Sequence, residues 1–196
     1  MTEETKRLCD VILSMVTIFG GVIGFVVGLR QWRRGQAWER ANKLDHFIEK
    51  FETDDLLQFC ATALDWTKRE VTFRGRKVVI TNSDVILSLR DYRTITERPM
   101  YPGEQPLLRD AYDALMTFFQ RLELSIATEL IDAGHAKAYF AYWLERLVTL
   151  DRHCHPDKEI PKEMSPPDMI SAYIKMYGDP ASISRLCKTF GVRNSL

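Results

Sequence analysis

The chain has 196 residues, and its 27 basic and 27 acidic side chains leave a formal net charge of zero. That balance argues against a partner gripped through bulk phosphate neutralisation, so no nucleic acid is expected. Four widely spaced cysteines, Cys9, Cys60, Cys154 and Cys187, form no CxxC pair, which suits free thiols in a reducing compartment better than a secreted disulfide framework.

From Val11 to Leu29 the run VILSMVTIFGGVIGFVVGL carries no charge. At about 1.5 Å per residue it spans roughly 28 Å, close to the hydrocarbon thickness of a bilayer. A buried core helix would show a charged face. A cleavable leader would have a shorter apolar stretch and a small-residue cleavage site. Here the run ends in Leu29-Arg30-Gln31-Trp32-Arg33-Arg34, the flank of a retained transmembrane helix. Lys6 and Arg7 precede the run, whereas Arg30, Arg33, Arg34, Arg40 and Lys43 follow it. The heavier basic side belongs in the cytoplasm, which makes residues 1–10 a short extracytoplasmic N-terminus. Trp32 and Trp38 suit the headgroup level, giving a membrane interface of Arg30, Trp32, Arg33, Arg34 and Trp38.

Gly20, Gly24 and Gly28 form GxxxGxxxG. A second series, Asp10, Ser14, Thr17, Gly21, Gly24, Gly28, Gln31 and Gly35, steps alternately by four and three, and every member is small or polar. Lipid supplies no hydrophobic drive between helices, so association depends on close backbone approach and polar contact. Ser14, Thr17, Gly20, Gly21, Gly24 and Gly28 are therefore the candidate self-association residues, and a homo-oligomer is expected. The 3.5-residue period favours left-handed packing, GxxxG alone a right-handed crossing.

Residues 30–52 read as a juxtamembrane helix, with Ala37, Ala41, Leu44, Ile48 and Phe51 on one stripe. Thr53, before Asp54 and Asp55, looks like the N-cap of a helix using Leu56, Leu57, Cys60, Ala63 and Leu64. VTFRGRKVVI at 71–80 alternates on either side of Arg74-Gly75-Arg76 and reads as a short hairpin. Thr81-Asn82-Ser83 should cap a helix running to about Tyr92. Thr94 to Pro106, with Pro99, Pro102 and Gly103, should be a loop. Leu107 to Leu130 is the clearest long helix, with Leu108, Ala111, Leu115, Phe118, Leu122 and Ile126 as its buried stripe. Asp132-Ala133-Gly134 reads as a turn into a helix from Ala136 to Leu150, expected to pack antiparallel to its predecessor. Residues 151–167 read as a polar loop. Ser165-Pro166 and Asp179-Pro180 look like the starts of two short helices.

Asp151-Arg152-His153-Cys154-His155-Pro156-Asp157 is the one metal-like cluster, but adjacent residues cannot easily ligate one ion, and His46, His135 or Cys187 would have to complete it. No metal and no cofactor is expected. Lys68, Arg69, Arg74, Arg76 and Lys77 around the hairpin read first as a solvated rim, with anionic lipid and then nucleic acid as the alternatives. No nucleophile elbow, phosphate-binding glycine loop, HExxH or paired-carboxylate motif is present, so an enzyme is not expected.

The stretch LMTFFQRLELSIATELIDAGHAKAYFAYWLERL at Leu115–Leu147, with the anchor and its Arg-rich flank, resembles a family of uncharacterised small bacterial single-pass membrane proteins. In that family an aromatic-rich helix leads through a Leu-Ile-Asp turn to a second helix ending in an aromatic–Trp pair. Phe118, Phe119, Leu130, Ile131, Asp132, Tyr142 and Trp143 fit this outline. The resemblance implies a bacterial origin and a helical cytosolic domain, and transfers no catalytic residues.

The expectation is an all-α chain: an N-terminal transmembrane helix (11–29) continuing as a juxtamembrane helix (30–52) into a helical-bundle cytosolic domain (53–196) with at most one short β-hairpin. In function it is a single-pass protein of the inner membrane that self-associates in the bilayer and meets a protein partner the sequence does not identify. One alternative is a membrane-perturbing or pore-forming effector of a toxin or phage-defence system, which depolarisation on induced expression would distinguish. A membrane-tethered enzyme is the other, which a bound metal or nucleotide in purified protein would favour.

Overall fold

A computed structural model describes residues 3–65, 68–90, 103–156 and 168–193, with side chains except at 4–14, 68, 151 and 153. Among these residues the regular structure is helical apart from one two-stranded hairpin. The helices are α1 (Glu3–Thr53), α2 (Asp55–Asp65), α3 (Asn82–Ser88), α4 (Gln105–Ala127), α5 (Ala133–Val148), α6 (Leu150–His153), α7 (Met169–Tyr177) and α8 (Pro180–Phe190), and the strands are β1 (Lys68–Phe73) and β2 (Arg76–Thr81). The chain divides into two units, Met1–Asn42 and Lys43–Leu196.

The first unit is helix throughout its described length. Its large apolar side chains from Met15 to Phe25 are exposed: Met15, Val16, Ile18, Phe19, Val22, Ile23 and Phe25 are each more than half exposed. This helix is long and apolar enough to cross a membrane.

The second unit starts inside the stretch expected as juxtamembrane helix, because Leu44 and Phe51, at the end of α1, are buried in its core. Ala37 and Ala41, expected on the same stripe, belong to the first unit and are exposed. At the centre lies α4. Its residues Leu108, Ala111, Leu115, Phe118 and Leu122 recur at three- and four-residue spacing and are all buried, the apolar stripe of a core helix. The helix packs against α2, α3 and α8, while α5 packs against α2, α7 and α8. The antiparallel pairing expected between α4 and α5 is not the dominant contact. The two meet through large side chains, with the Phe118 and Phe140 rings 5.3 Å apart, and their backbones approach α2 and α8 more closely than each other. Phe51 joins this cluster, 5.5 Å from Phe118 and 5.7 Å from Phe140. Such tilted and edge-on pairs add attraction beyond their buried area.

Local chemistry sets the element ends, and several differ from the sequence reading. The helix after α1 is capped by Asp54, not Thr53. The Thr53 hydroxyl donates back to the Glu49 carbonyl at 2.8 Å, whereas Asp54 Oδ1 accepts from the backbone N–H of Leu56 at 3.0 Å and of Leu57 at 3.2 Å. A carboxylate also complements the positive end of the helix dipole, which a hydroxyl cannot. The hairpin is present and starts earlier, at Lys68. Its two-residue turn has φ +47° at Arg74 and +77° at Gly75, the mirror-image turn whose twist matches the strands.

Thr81 caps α3 in a reciprocal arrangement: its hydroxyl accepts from the Asp84 N–H, and the Asp84 carboxylate accepts from the Thr81 N–H. That helix ends at Ser88, short of Tyr92, which lies outside the described residues along with Pro99 and Pro102. Pro106 is not in the loop but in the first turn of α4, where its missing N–H costs nothing. The α4 helix stops at Ala127 rather than Leu130, and Glu129 turns the chain at φ +57°. Asp132 is then an N-cap, accepting from the His135 N–H at 2.9 Å, so Ala133 and Gly134 are helical rather than a turn. The fifth helix breaks at Thr149 before the short α6. Ser165-Pro166 lies outside the described residues. Asp179 caps α8 with Pro180 in the first turn, as the sequence suggests, and Gly191 closes it at φ +70°.

Candidate functional site

The expected self-association residues all lie on α1. At 100° per residue, Thr17, Gly20, Gly21, Gly24 and Gly28 fall within an arc of about 100°, and the backbone position of Ser14 extends it by about 20°. Val22 and Val26 lie on the opposite side. A β-carbon built on Gly20, Gly21, Gly24 or Gly28 would meet nothing within 4 Å. Among the described residues no contact requires glycine at these four places, and none of them is a turn or a left-handed residue. Arg30, Trp32, Arg33, Arg34 and Trp38 follow on the same helix and are exposed, Trp32 by 61% and Trp38 by 70%.

The second unit holds a cleft that the sequence did not bring together, with a volume of about 440 Å³. That lies within the usual range for small-molecule sites. Its apolar lining is Phe47 from α1, Leu57 from α2, and Ala114 and Phe118 from α4. The polar lining is His46, Lys50, Asp54, Asp113 and Arg121, with Thr117 between the last two. On α4, Asp113, Thr117 and Arg121 are each four residues apart and so share a face, and His46 and Lys50 do the same on α1. Those two polar rows were the readable trace of the cleft. What the sequence lacked was the juxtaposition of α1 with α4, more than sixty positions apart.

The two acids of the cleft are engaged. Asp54 caps α2. Asp113 Oδ1 accepts from the Tyr173 hydroxyl at 2.7 Å, and burial pushes its carboxyl above the ordinary range, partly opposed by that hydrogen bond and by Arg109. Burial, and then the bond to Asp113, raise the Tyr173 phenol, so it stays a donor. Arg109 stacks over the Tyr173 and Tyr177 rings at 5.1 and 4.3 Å and donates to the Ser88 and Arg90 carbonyls, which ties α4 to α7 and to the end of α3. The bases differ from the acids: the side chains of Lys50 and Arg121 have no partner among the described residues. His46 lies 3.7 Å from Glu49.

The 151–157 cluster does not converge among the described residues. The Cys154 thiol is buried against the Asn82 carbonyl at 3.8 Å, whereas His155 is exposed. His135 faces Asp132, and Cys187 is buried in the core. No three His, Cys, Asp or Glu side chains come together at metal-binding distance among the described residues. At the basic hairpin, Lys77 pairs with Glu70 at 2.8 Å and Arg74 reaches Asp55 at 4.0 Å. These are exposed pairs of small energetic worth.

Comparison with protein-family models, with curated proteins and with solved structures finds no match.

Proposed function

We propose that this chain is a single-pass protein of the bacterial inner membrane whose anchor self-associates through the Thr17–Gly28 arc, and whose helical domain serves protein–protein contact in the cytoplasm. The observation that carries the reading is the exposed apolar stretch of α1 from Met15 to Leu29, with its small residues gathered on one side. In water that helix would present an apolar surface far larger than the patches soluble monomers tolerate. In lipid the same surface is at home, and glycine then lets two backbones approach. The cytoplasmic orientation rests on the five cations that follow the apolar run against the two that precede it. The contact role of the domain is supported by Leu124, Leu130, Tyr139 and Tyr142, which α4, the turn after it and α5 leave largely exposed. Such aromatic and aliphatic side chains are typical anchors of protein interfaces.

The test is steric. Gly24→Ile or Gly21→Ile adds a branched side chain where the proposed contact leaves no room, yet keeps the helix apolar enough to insert. Val22→Leu and Val26→Leu alter the opposite side. In a transmembrane dimerisation reporter, and in cross-linking of full-length protein in membranes, the glycine variants should fall to the level of a monomeric control while the valine variants stay at wild type. Equal behaviour of Gly24→Ile and Val22→Leu would reduce the anchor to a plain tether.

A further inference from the structure

We propose that the cleft between the end of α1 and the middle of α4 binds a small amphiphilic anion, with an apolar body against Phe47, Leu57, Ala114 and Phe118 and a phosphate or carboxylate held by Lys50 and Arg121. The inference rests on the second unit alone and does not depend on how the anchor behaves in a membrane.

Hydrogen-bond satisfaction, rather than net charge, selects the ligand's sign: two carboxylates balance Lys50 and Arg121 in the lining, but Asp54 is already held by two backbone N–H groups and Asp113 by the Tyr173 hydroxyl. Lys50 and Arg121 have no such commitment among the described residues and supply the open valence. Arg121 presents a planar fork matched to the oxygens of phosphate or carboxylate, and Lys50 a point charge. The Thr117 hydroxyl, one turn from Arg121, lines the same wall and adds a neutral donor. Apolar chemistry selects the body. Phe47 and Phe118 meet edge to face with centroids 5.6 Å apart, and Leu57 and Phe118 are buried beneath the opening, so a fully hydrated ion would leave that floor in contact with water. An anion bearing a ring or a short alkyl chain satisfies both halves, whereas inorganic phosphate satisfies only one. Such a ligand could be a soluble aromatic phosphate or an alkyl phosphate derived from lipid. Both share this chemistry and differ only in the body.

The experiment is isothermal titration calorimetry on the full chain in phosphatidylcholine nanodiscs, with the heat of empty nanodiscs subtracted. The probes are 1-naphthyl phosphate and hexyl phosphate, with inorganic phosphate as the head alone and 1-naphthol and hexanol as bodies alone. At least one organophosphate should bind saturably, one per chain. The head and the bodies should each bind at least about tenfold more weakly, because each forfeits either the charged contacts or the apolar ones. Tighter binding of the naphthyl probe indicates a soluble aromatic source, and of the hexyl probe a lipid-derived one. Because Lys50 and Arg121 are exposed, the Lys50→Gln, Arg121→Gln double variant should keep the wild-type thermal midpoint and lose at least about tenfold in affinity. Arg76→Gln, on the hairpin outside the cleft, should bind as wild type. The proposal is overturned if neither organophosphate saturates, if inorganic phosphate binds as tightly as the organic probes, or if the double variant binds like wild type.

Discussion

Asp113 shows how one side chain's surroundings set a measurable pH response. Burial disfavours its charged form, while the Tyr173 hydroxyl at 2.7 Å and the charge of Arg109 favour it, and the net direction is upward from the ordinary 3.8. A carboxyl whose folded-state value is raised holds its proton more tightly in the folded chain than in the unfolded one. Its stabilising contribution is therefore complete below the unfolded value and is lost as pH rises through the folded value. Asparagine at this position keeps an oxygen to accept from Tyr173 but carries no charge to desolvate. The thermal midpoint of Asp113→Asn relative to wild type should accordingly rise as pH goes from about 3 to about 7. A difference independent of pH over that window would show that the carboxyl's burial has no energetic consequence. Cys60 follows the same logic with no function attached: complete burial pushes its thiol well up, so it remains neutral and packs as a small apolar group.

Among the elements, caps and core differ in weight, and Phe118 marks the heavier side. Its ring is buried and touches Phe47, Phe51, Phe119 and Phe140, which between them come from α1, α4 and α5. Phe118→Ala removes the common neighbour of all four, and such a truncation typically costs about 3–5 kcal/mol. Removing the carboxylate half of the α3 capping box with Asp84→Ala should cost only about 1 kcal/mol, since the Thr81 N–H loses its acceptor while the Thr81 hydroxyl still caps the helix. Unfolding of the full chain in neutral detergent, followed by tryptophan fluorescence, should therefore rank Phe118→Ala well below Asp84→Ala. The reverse order would mean that the aromatic cluster is not the core.

Much of this level was readable in the sequence, because it is local. The α4 stripe needs only a 3.6-residue period, and the hairpin announces itself through Gly75 between two alternating runs. The errors at Thr53, Asp132 and Pro106 are shifts of one to a few residues at helix starts, set by which carboxylate comes to accept from the first-turn N–H groups at Asp54 and Asp132 and by the tolerance of the first turn of α4 for a proline. The cleft was unreadable for the opposite reason. Each of its polar rows looks like an ordinary solvated helix face, and only the distant pairing of His46–Lys50 with Asp113–Arg121 gives them a common space.

For the whole chain, the proposed cytoplasmic side of the domain rests on the cations that flank the apolar run. Placing an Arg at the bilayer centre costs about 2.5–3.5 kcal/mol, so the boundary of the apolar run at Arg30 is sharp. Orientation follows the imbalance of Lys and Arg in short flanks. Five cations, Arg30, Arg33, Arg34, Arg40 and Lys43, lie after the run and two, Lys6 and Arg7, before it. A C-terminal alkaline phosphatase fusion should consequently be inactive, because that enzyme matures outside the cytoplasm, and a C-terminal green fluorescent fusion should be bright. Replacing Arg30, Arg33 and Arg34 with Gln leaves two cations on each side. If charge imbalance sets the orientation, this variant should populate both topologies, gaining phosphatase activity and losing fluorescence relative to wild type. If a large folded domain dominates instead, the variant should match wild type in both fusions. An active phosphatase fusion with a dark fluorescent one in the unaltered chain would place the domain outside and remove the cytoplasm from the proposed function.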